Sequence, residues 1–500
     1  MSSRGNARQV ARAWLLLLAV VTTAQAQRSV PEPAPARVGL RYTLRHDASQ
    51  PGMVEVEVRL VAPRRAPVDF AMPRAIPMGY GTQPYDRFVE GLVARDTAGR
   101  VIAVTDIDGP RWRIAASAAQ PLQTIAYRVN VQRMEMAILN AGDASRMRPG
   151  YAGLLGYSVF GFVDGTTESA IALDIRMPPD WPIFSTLATS PSRGTLSVRA
   201  ENFLALADAQ VMAGPALQLR QRAARVPFTL AVYSEQTSLD ADSLAALASE
   251  ALDRAVAYFG STTLPRYTAA YEVLTPISAD HVYRFSMEHL ESATYRLAVG
   301  QLDLAGEGRD RTFYNLLHHT VHSWLPKQCA PAGYYPAIWD HAAPIDGIWF
   351  SEGWAQYLAA DIFAGSGADA VQRRAARVAL RFAAAAVDSS PPLEGQGTEA
   401  LSRIASHQYS EDFRISATVF SRGALMAQAI DERIRRQTHG RQSIRDVAQA
   451  LMAWCSTSSS PVTADVIVDV VQRSTGVASR DVVQEWLRPR GPTTPDRPRP

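Results

Sequence analysis

Three histidines, His318, His319 and His322, crowd one helix-like segment, Phe313–Trp324. His318 and His322 are four apart, so on a helix they share a face and can point at a single metal ion. Glu352 lies thirty residues beyond His322, within Trp349-Phe350-Ser351-Glu352-Gly353. Two imidazoles and one carboxylate are a common ligand set for a catalytic zinc that keeps its fourth position open.

The zincin pattern is His-Glu-x-x-His, in which the Glu takes a proton from a water activated by the metal. Here His319 stands where that Glu belongs. An imidazole with an ordinary pKa near 6.5 suits proton abstraction, but the proton leaves it cationic beside a divalent ion. A unit charge ~4–5 Å from such an ion costs roughly 7 kcal/mol at an effective dielectric of 20, whereas a Glu becomes neutral. The favoured reading is therefore an imidazole bonded to solvent or a carboxylate, filling the base position without doing the base's work.

The elements that must hold these groups follow from hydrophobic periodicity. Phe313, Leu316, Leu317, Val321 and Trp324 give the histidine segment an apolar stripe, which suits a structural helix as well as a metal-binding one. The downstream Ser351-Glu352-Gly353-Trp354 tips the balance toward metal. From Val38 to about Tyr233 the pattern is strand: Val54, Val56, Val58 and Leu60 alternate with charged residues, as do Ile125, Tyr127, Val129 and Val131 with polar ones. An all-β domain of sandwich type fits. Ser238 or Asp240 caps a helix running to Phe259, and strands are expected at Tyr267–Leu274 and Ala293–Val299. Helices are expected at Ala368–Val387, Leu425–Arg435, Ile444–Trp454 and Ala464–Gln472.

The whole chain narrows the function. Five hundred residues imply two or three domains. Residues 1–26 read as a secretory signal peptide: Arg4, Arg8 and Arg12, a short apolar run from Ala13 to Val21, then Ala24-Gln25-Ala26. The apolar run is too short to span a bilayer, so an exported protein, periplasmic or secreted, is expected. Three of the 51 basic residues lie in this leader, leaving 48 against 48 acidic ones. A neutral chain without a basic block offers nothing to nucleic acid or an anionic membrane. Two cysteines, Cys329 and Cys455, do not make a disulfide framework; export permits a bridge between them, which geometry alone can decide.

The motif spacing resembles the glycyl aminopeptidase family of gluzincin metallopeptidases. That family has Trp two and Lys five residues after the second His, matched by Trp324 and Lys327, and a Trp-x-Ser-Glu-Gly motif thirty after it. Its upstream Gly-Gly-Leu-Glu-His-x-x-Ser is similar to Phe285-Ser286-Met287-Glu288-His289-Leu290-Glu291-Ser292, which lacks both glycines. The resemblance implies an α+β multidomain fold with a β-sandwich-like N-terminal domain (38–235), a thermolysin-like catalytic domain (236–415) and a C-terminal α-helical domain (416–487). Residues 27–37 would be a linker and 488–500 a disordered Pro-rich tail. The PDZ domain common in the family has no room after Trp486, so none is expected.

The same resemblance assigns roles. His318, His322 and Glu352 would bind zinc, and Glu288 would receive the free amino terminus of a peptide or protein ligand. Related gluzincins place an oxyanion-stabilising Tyr in Tyr-x-Lys-Gly, where this chain reads Phe420-Ser421-Arg422-Gly423. Losing a general base costs ~10²–10⁴ in rate and losing an oxyanion donor ~10²–10³, without the two simply multiplying. The first reading is thus a zinc-site protein of impaired peptidase activity. The alternatives are an active aminopeptidase using His319 or an acid such as Glu291 as base, and a non-enzymatic peptide- or protein-binding module.

Overall fold

The computed structural model describes residues 37–489 except 141, 261, 366–368, 370–372, 375–394 and 410–412. The leader, residues 27–36, most of the helix expected at Ala368–Val387 and the tail from 490 lie outside the described residues.

Alternation becomes sheet in the first half of the chain. In strand Met53–Arg64 the side chains of Val54, Val56, Val58 and Leu60 are buried and their neighbours turn outward. This strand pairs antiparallel with Val38–Arg45, which itself runs parallel to Ala170–Arg176. They belong to a twelve-stranded sheet, faced by a four-stranded one that includes Val68–Ala71 and Arg111–Ile114. Both sheets feed one apolar core, where the rings of Phe70 and Tyr127 lie 5.3 Å apart. The N-terminal region is thus β-rich, as expected, with two sheets contributing to one core.

A third, five-stranded sheet carries the histidines' neighbours. Its order is Gln218–Ala223, Pro227–Ser234, Tyr267–Leu274, Ser292–Ala298, Arg284–Glu288. The three central strands are parallel, and every residue of Tyr267–Leu274 is buried, as a strand covered on both faces requires. The first two strands lie inside the expected 38–235 β domain. They read as a continuation of the β domain, yet they pair with the later sheet, so the sheets change between Ala213 and Gln218. Strand character is local in sequence, whereas strand partnership is not.

Helix Ala241–Phe259 makes the crossover between Pro227–Ser234 and Tyr267–Leu274. Asp240 caps its first turn by accepting from the Asp242 and Ser243 amides, and Gly260 ends it in the left-handed region. The C-terminal part is helical: Thr398–Gln408, Phe413–Gln437, Ile444–Cys455, Ala464–Thr475 and Arg480–Leu487. The expected helix at Leu425–Arg435 lies in the second half of the 25-residue Phe413–Gln437. Among the described residues no helix is long and apolar enough to cross a membrane.

Two covalent or charged links tie these parts together. Cys329, just past the histidine helix, is bonded to Cys455 at the end of Ile444–Cys455, with Cα atoms 5.5 Å apart. In the β region, Arg146 meets Glu272 of the five-stranded sheet at 2.8 Å, and Arg296 meets the same carboxylate at 2.7 Å. The Tyr151 hydroxyl donates to its other oxygen at 2.8 Å. Burial opposes the charge on Glu272, but the two guanidinium groups outweigh burial and hold its carboxyl below the usual range.

Both links yield measurable expectations. Opening the Cys329–Cys455 bond by Cys455→Ser frees a loop closed over 126 residues and should lower unfolding stability by about 2–5 kcal/mol. Two titratable thiols in the unreduced native chain would refute the pairing. Glu272→Gln strands two buried cations and should cost about 3–5 kcal/mol. Because the folded carboxyl titrates below its unfolded value, this contribution is complete above the unfolded pKa and is lost as pH falls through the folded one. Urea unfolding from neutral pH to pH 3 should therefore bring wild type and Glu272→Gln closer as pH falls; parallel curves would contradict the assignment.

Candidate metal centre

Helix Gly306–Val321 lies against helices Ala241–Phe259 and Ala355–Ala364. Its C-terminal turn carries the histidine cluster inward: His318, His319 and His322 are 4%, 7% and 1% exposed. Buried imidazoles so close together need a shared purpose or strong partners.

The distances supply the purpose. His318 Nε2 and His322 Nε2 are 3.2 Å apart, and Glu352 Oε2 lies 3.4 Å from the first and 3.5 Å from the second. Three donors bonded at zinc's usual 2.0–2.1 Å in tetrahedral geometry stand about 3.3–3.4 Å from one another. The triangle fits that ion. His322 is also prepared as a ligand: its Nδ1 lies 2.8 Å from the Leu325 carbonyl, an acceptor, so Nδ1 carries the proton and Nε2 keeps its lone pair. Burial holds the His322 pKa below its ordinary value, favouring the neutral, ligating form.

Glu352 is placed by a backbone device. Residues Trp349–Trp354 form a π-helical turn that runs directly into Ala355–Ala364. This turn packs on the long helix Phe413–Gln437 with glycine facing glycine. A Cβ on Gly353 would meet the Gly423 Cα at 2.5 Å, and one on Gly423 would meet the Trp349 carbonyl oxygen at 1.8 Å. The glycines of Ser-Glu-Gly and of Phe-Ser-Arg-Gly are thus partners. Their contact brings Phe420, one turn before Gly423, to the site.

His318, His319, Glu352, Glu288 and Phe420 line one cleft of 1430 Å³, and His322 lies just behind Glu352. His319 Nδ1 is 3.9 Å from Glu288 Oε2, a charge-range contact beyond hydrogen-bond length, and its ring meets Tyr295 edge-on. Glu288 ends the edge strand Arg284–Glu288 with its other oxygen 4.0 Å from Lys327 Nζ. Burial would raise its pKa, but His322, Lys327 and His319 together lower it, so Glu288 is an anion. Phe420 faces the cleft with a ring and no hydroxyl, 6.0 Å from the ring of Phe413.

The positions where the resemblance has glycines are filled. The Phe285 ring occupies the space over Gly142, where a Cβ would lie 1.7 Å from it, and Ser286 Oγ accepts from Asn315 at 3.0 Å. The other motif residues dock the strand onto the β region: His289 Nδ1 is 3.1 Å from Asp208, and Ser292 Oγ is 3.3 Å from Gln210 Nε2. Glu291 pairs with Arg266 at 3.2 Å. Two groups escape the sequence reading. Gln356, fixed by Tyr314, reaches His318 Nε2 at 3.1 Å, and it lies within the helix-compatible run after Glu352 where spacing could have found it. Tyr80 of the β region donates to Glu352 Oε1, and no local motif announces it.

Gly423→Ala should push the ligand turn off the long helix. Overpacking of this kind costs about 1–3 kcal/mol, and the displaced Glu352 should weaken metal binding beyond what the loss of stability explains. Metal affinity and melting temperature unchanged in Gly423→Ala would refute the contact's role.

Residues 41–215 match the Peptidase M61 N-terminal domain. No match is found among curated proteins. Among solved structures, an aminopeptidase N family protein from Idiomarina loihiensis is similar with a TM-score of 0.76 and 18% identity, over 90% of this chain and 76% of that one. An M1 zinc metallopeptidase from Deinococcus radiodurans is similar with a TM-score of 0.53 and 15% identity, over 94% and 97%. A mutant of the Deinococcus protein bound to a Tyr-Ser-Ala substrate gives 0.53 and 15%, over 93% and 97%. At these identities the likeness to solved structures is one of fold. The chain thus has a region similar to the M61 N-terminal domain, a fold shared with these peptidase structures, and a His-rich cluster that could hold a metal ion.

Proposed function

We propose that this chain is an exported protein of the glycyl aminopeptidase-like type that keeps its zinc site but has lost most peptide hydrolysis. One observation carries the reading. The donor triangle of His318, His322 and Glu352 has the dimensions of a tetrahedral zinc site, while the side chain between the two histidines is His319 rather than an acid. Zinc held by these three residues would supply Lewis-acid activation of a water and of a carbonyl.

The chain's own groups bind better than they transfer protons. Glu288, its pKa lowered by the neighbouring histidines and Lys327, presents a carboxylate to the ammonium of a peptide's free amino terminus. His319 gains charge on accepting a proton, beside histidines that already face a cation. Phe420 offers the developing oxyanion a ring edge and no O–H. Glu291, bound to Arg266, is no ready substitute for the base. The Deinococcus neighbour with Tyr-Ser-Ala bound supports a peptide as the ligand class. Export is supported by the leader pattern of residues 1–26 and by the Cys329–Cys455 bond, which belongs to an oxidising compartment.

The test is zinc content and release of amino acids from a panel of aminoacyl and peptide substrates, with His318→Ala alongside. We expect stoichiometric zinc that His318→Ala loses, and turnover no higher than in that variant. His319→Glu should raise hydrolysis at least tenfold, and Phe420→Tyr should add to it. An existing activity that His319→Glu abolished would make His319 the working base and overturn the proposal.

A further inference from the structure

Glu352 uses its two oxygens differently. Oε2 faces His318 and His322 at 3.4 and 3.5 Å, whereas Oε1 accepts a hydrogen bond from the hydroxyl of Tyr80, 272 residues upstream. A carboxylate held by one oxygen alone turns freely, because its last torsion has broad, shallow wells. A donor on the second oxygen removes that freedom and fixes which lone pair faces the histidines. Tyr80 is buried, 8% exposed, and its ring rests 5.0 Å from that of Tyr409.

The loop that carries Tyr80 is pinned on both sides. Met78 has φ of +49°, a conformation that residues other than glycine rarely adopt and that persists only where the surroundings impose it. Lys327, the only lysine in the chain, holds the Met78 carbonyl, with Nζ donating to its oxygen at 3.1 Å. On the other side, the Gly81 amide donates to the Ser406 carbonyl at 3.0 Å. Lys327 comes five residues after His322, so the segment that supplies two metal ligands also holds the loop that orients the third.

We propose that Tyr80, from the N-terminal β region, is a positioning residue for the metal centre: its hydroxyl orients Glu352 so that the other carboxylate oxygen completes the donor set with His318 and His322. This rests on the metal-site reading above. The β region is then part of the metal site rather than a scaffold beside it.

Tyr80→Phe keeps the ring and removes only the donor. Zinc affinity of the full mature chain, measured by competition with a chromophoric chelator, should fall 10–100-fold. The visible spectrum of the cobalt-substituted protein should shift, while the metal-free melting temperature stays near wild type. A double-mutant cycle separates positioning from general damage: in a Glu352→Gln background, Tyr80→Phe should cost little further affinity. An equal loss in both backgrounds, or affinity within twofold of wild type with an unchanged cobalt spectrum, would overturn the proposal. His318→Ala that retained wild-type zinc affinity would instead remove the metal-site reading itself.

Discussion

Where the turn bearing Glu352 crosses the long C-terminal helix, two glycines touch, and the geometry of the site depends on that contact. Side chains there would collide with backbone at 1.8–2.5 Å, distances no rotamer change can relieve. Because both faces lack a Cβ, the π-helical turn seats directly on the helix, which sets how far Glu352 reaches toward His318 and His322. The same contact fixes the rotation of the long helix, and with it the presentation of Phe420 to the cleft. A ligand and a cleft wall from separate parts of the chain thus share one mechanical origin.

The β region is bound to this centre by polar links that burial strengthens. Arg146 reaches Glu272, Asp208 reaches His289, Gln210 reaches Ser292, and Tyr80 reaches Glu352 itself. In a low-dielectric interior such contacts hold tightly when complete, and each half is costly when left alone. The Glu-His-x-x-Ser segment shows the division of labour. Glu288 faces the cleft, while His289 and Ser292 anchor its strand to the first domain.

How much of this could be read from the sequence depended on whether the signal was local. His318 and His322 announce themselves because a helix turns four residues into one face, and Glu352 because its neighbours form a motif of their own. The helix at Ala241–Phe259 was legible from a cap read as Ser238 or Asp240, of which the fold uses Asp240. By contrast, Gln218–Ser234 has the alternation of any strand, and nothing in it says that its partner is Tyr267–Leu274 rather than the earlier sheet. The long helix, expected only over Leu425–Arg435, runs from Phe413 through Gly423; glycine weakens a helix by about 1 kcal/mol, and here the turn bearing Glu352 packs where its side chain would be. A single tyrosine such as Tyr80 carries no spacing at all. The pairing of Cys329 with Cys455 was permitted by the expected export and decided only by the fold.

The two departures from the peptidase pattern fall where the fold is least affected. Phe420 differs from a tyrosine by one oxygen, and its ring still fills its place beside Phe413. His319 sits at the cleft wall against the edge of Tyr295, a buried position that an imidazole fills as a carboxylate side chain would. The groups that cannot change without moving backbone or ligands are all present: the glycine pair, the His322–Leu325 hydrogen bond and the Tyr80–Glu352 contact. Binding geometry and proton transfer are therefore separable here in a physical sense. The first is built from packing that spans the whole chain, whereas the second resides in two side-chain tips. A chain can lose the second and keep the first at little cost in stability, which is the combination that His319 and Phe420 would represent under the proposed function.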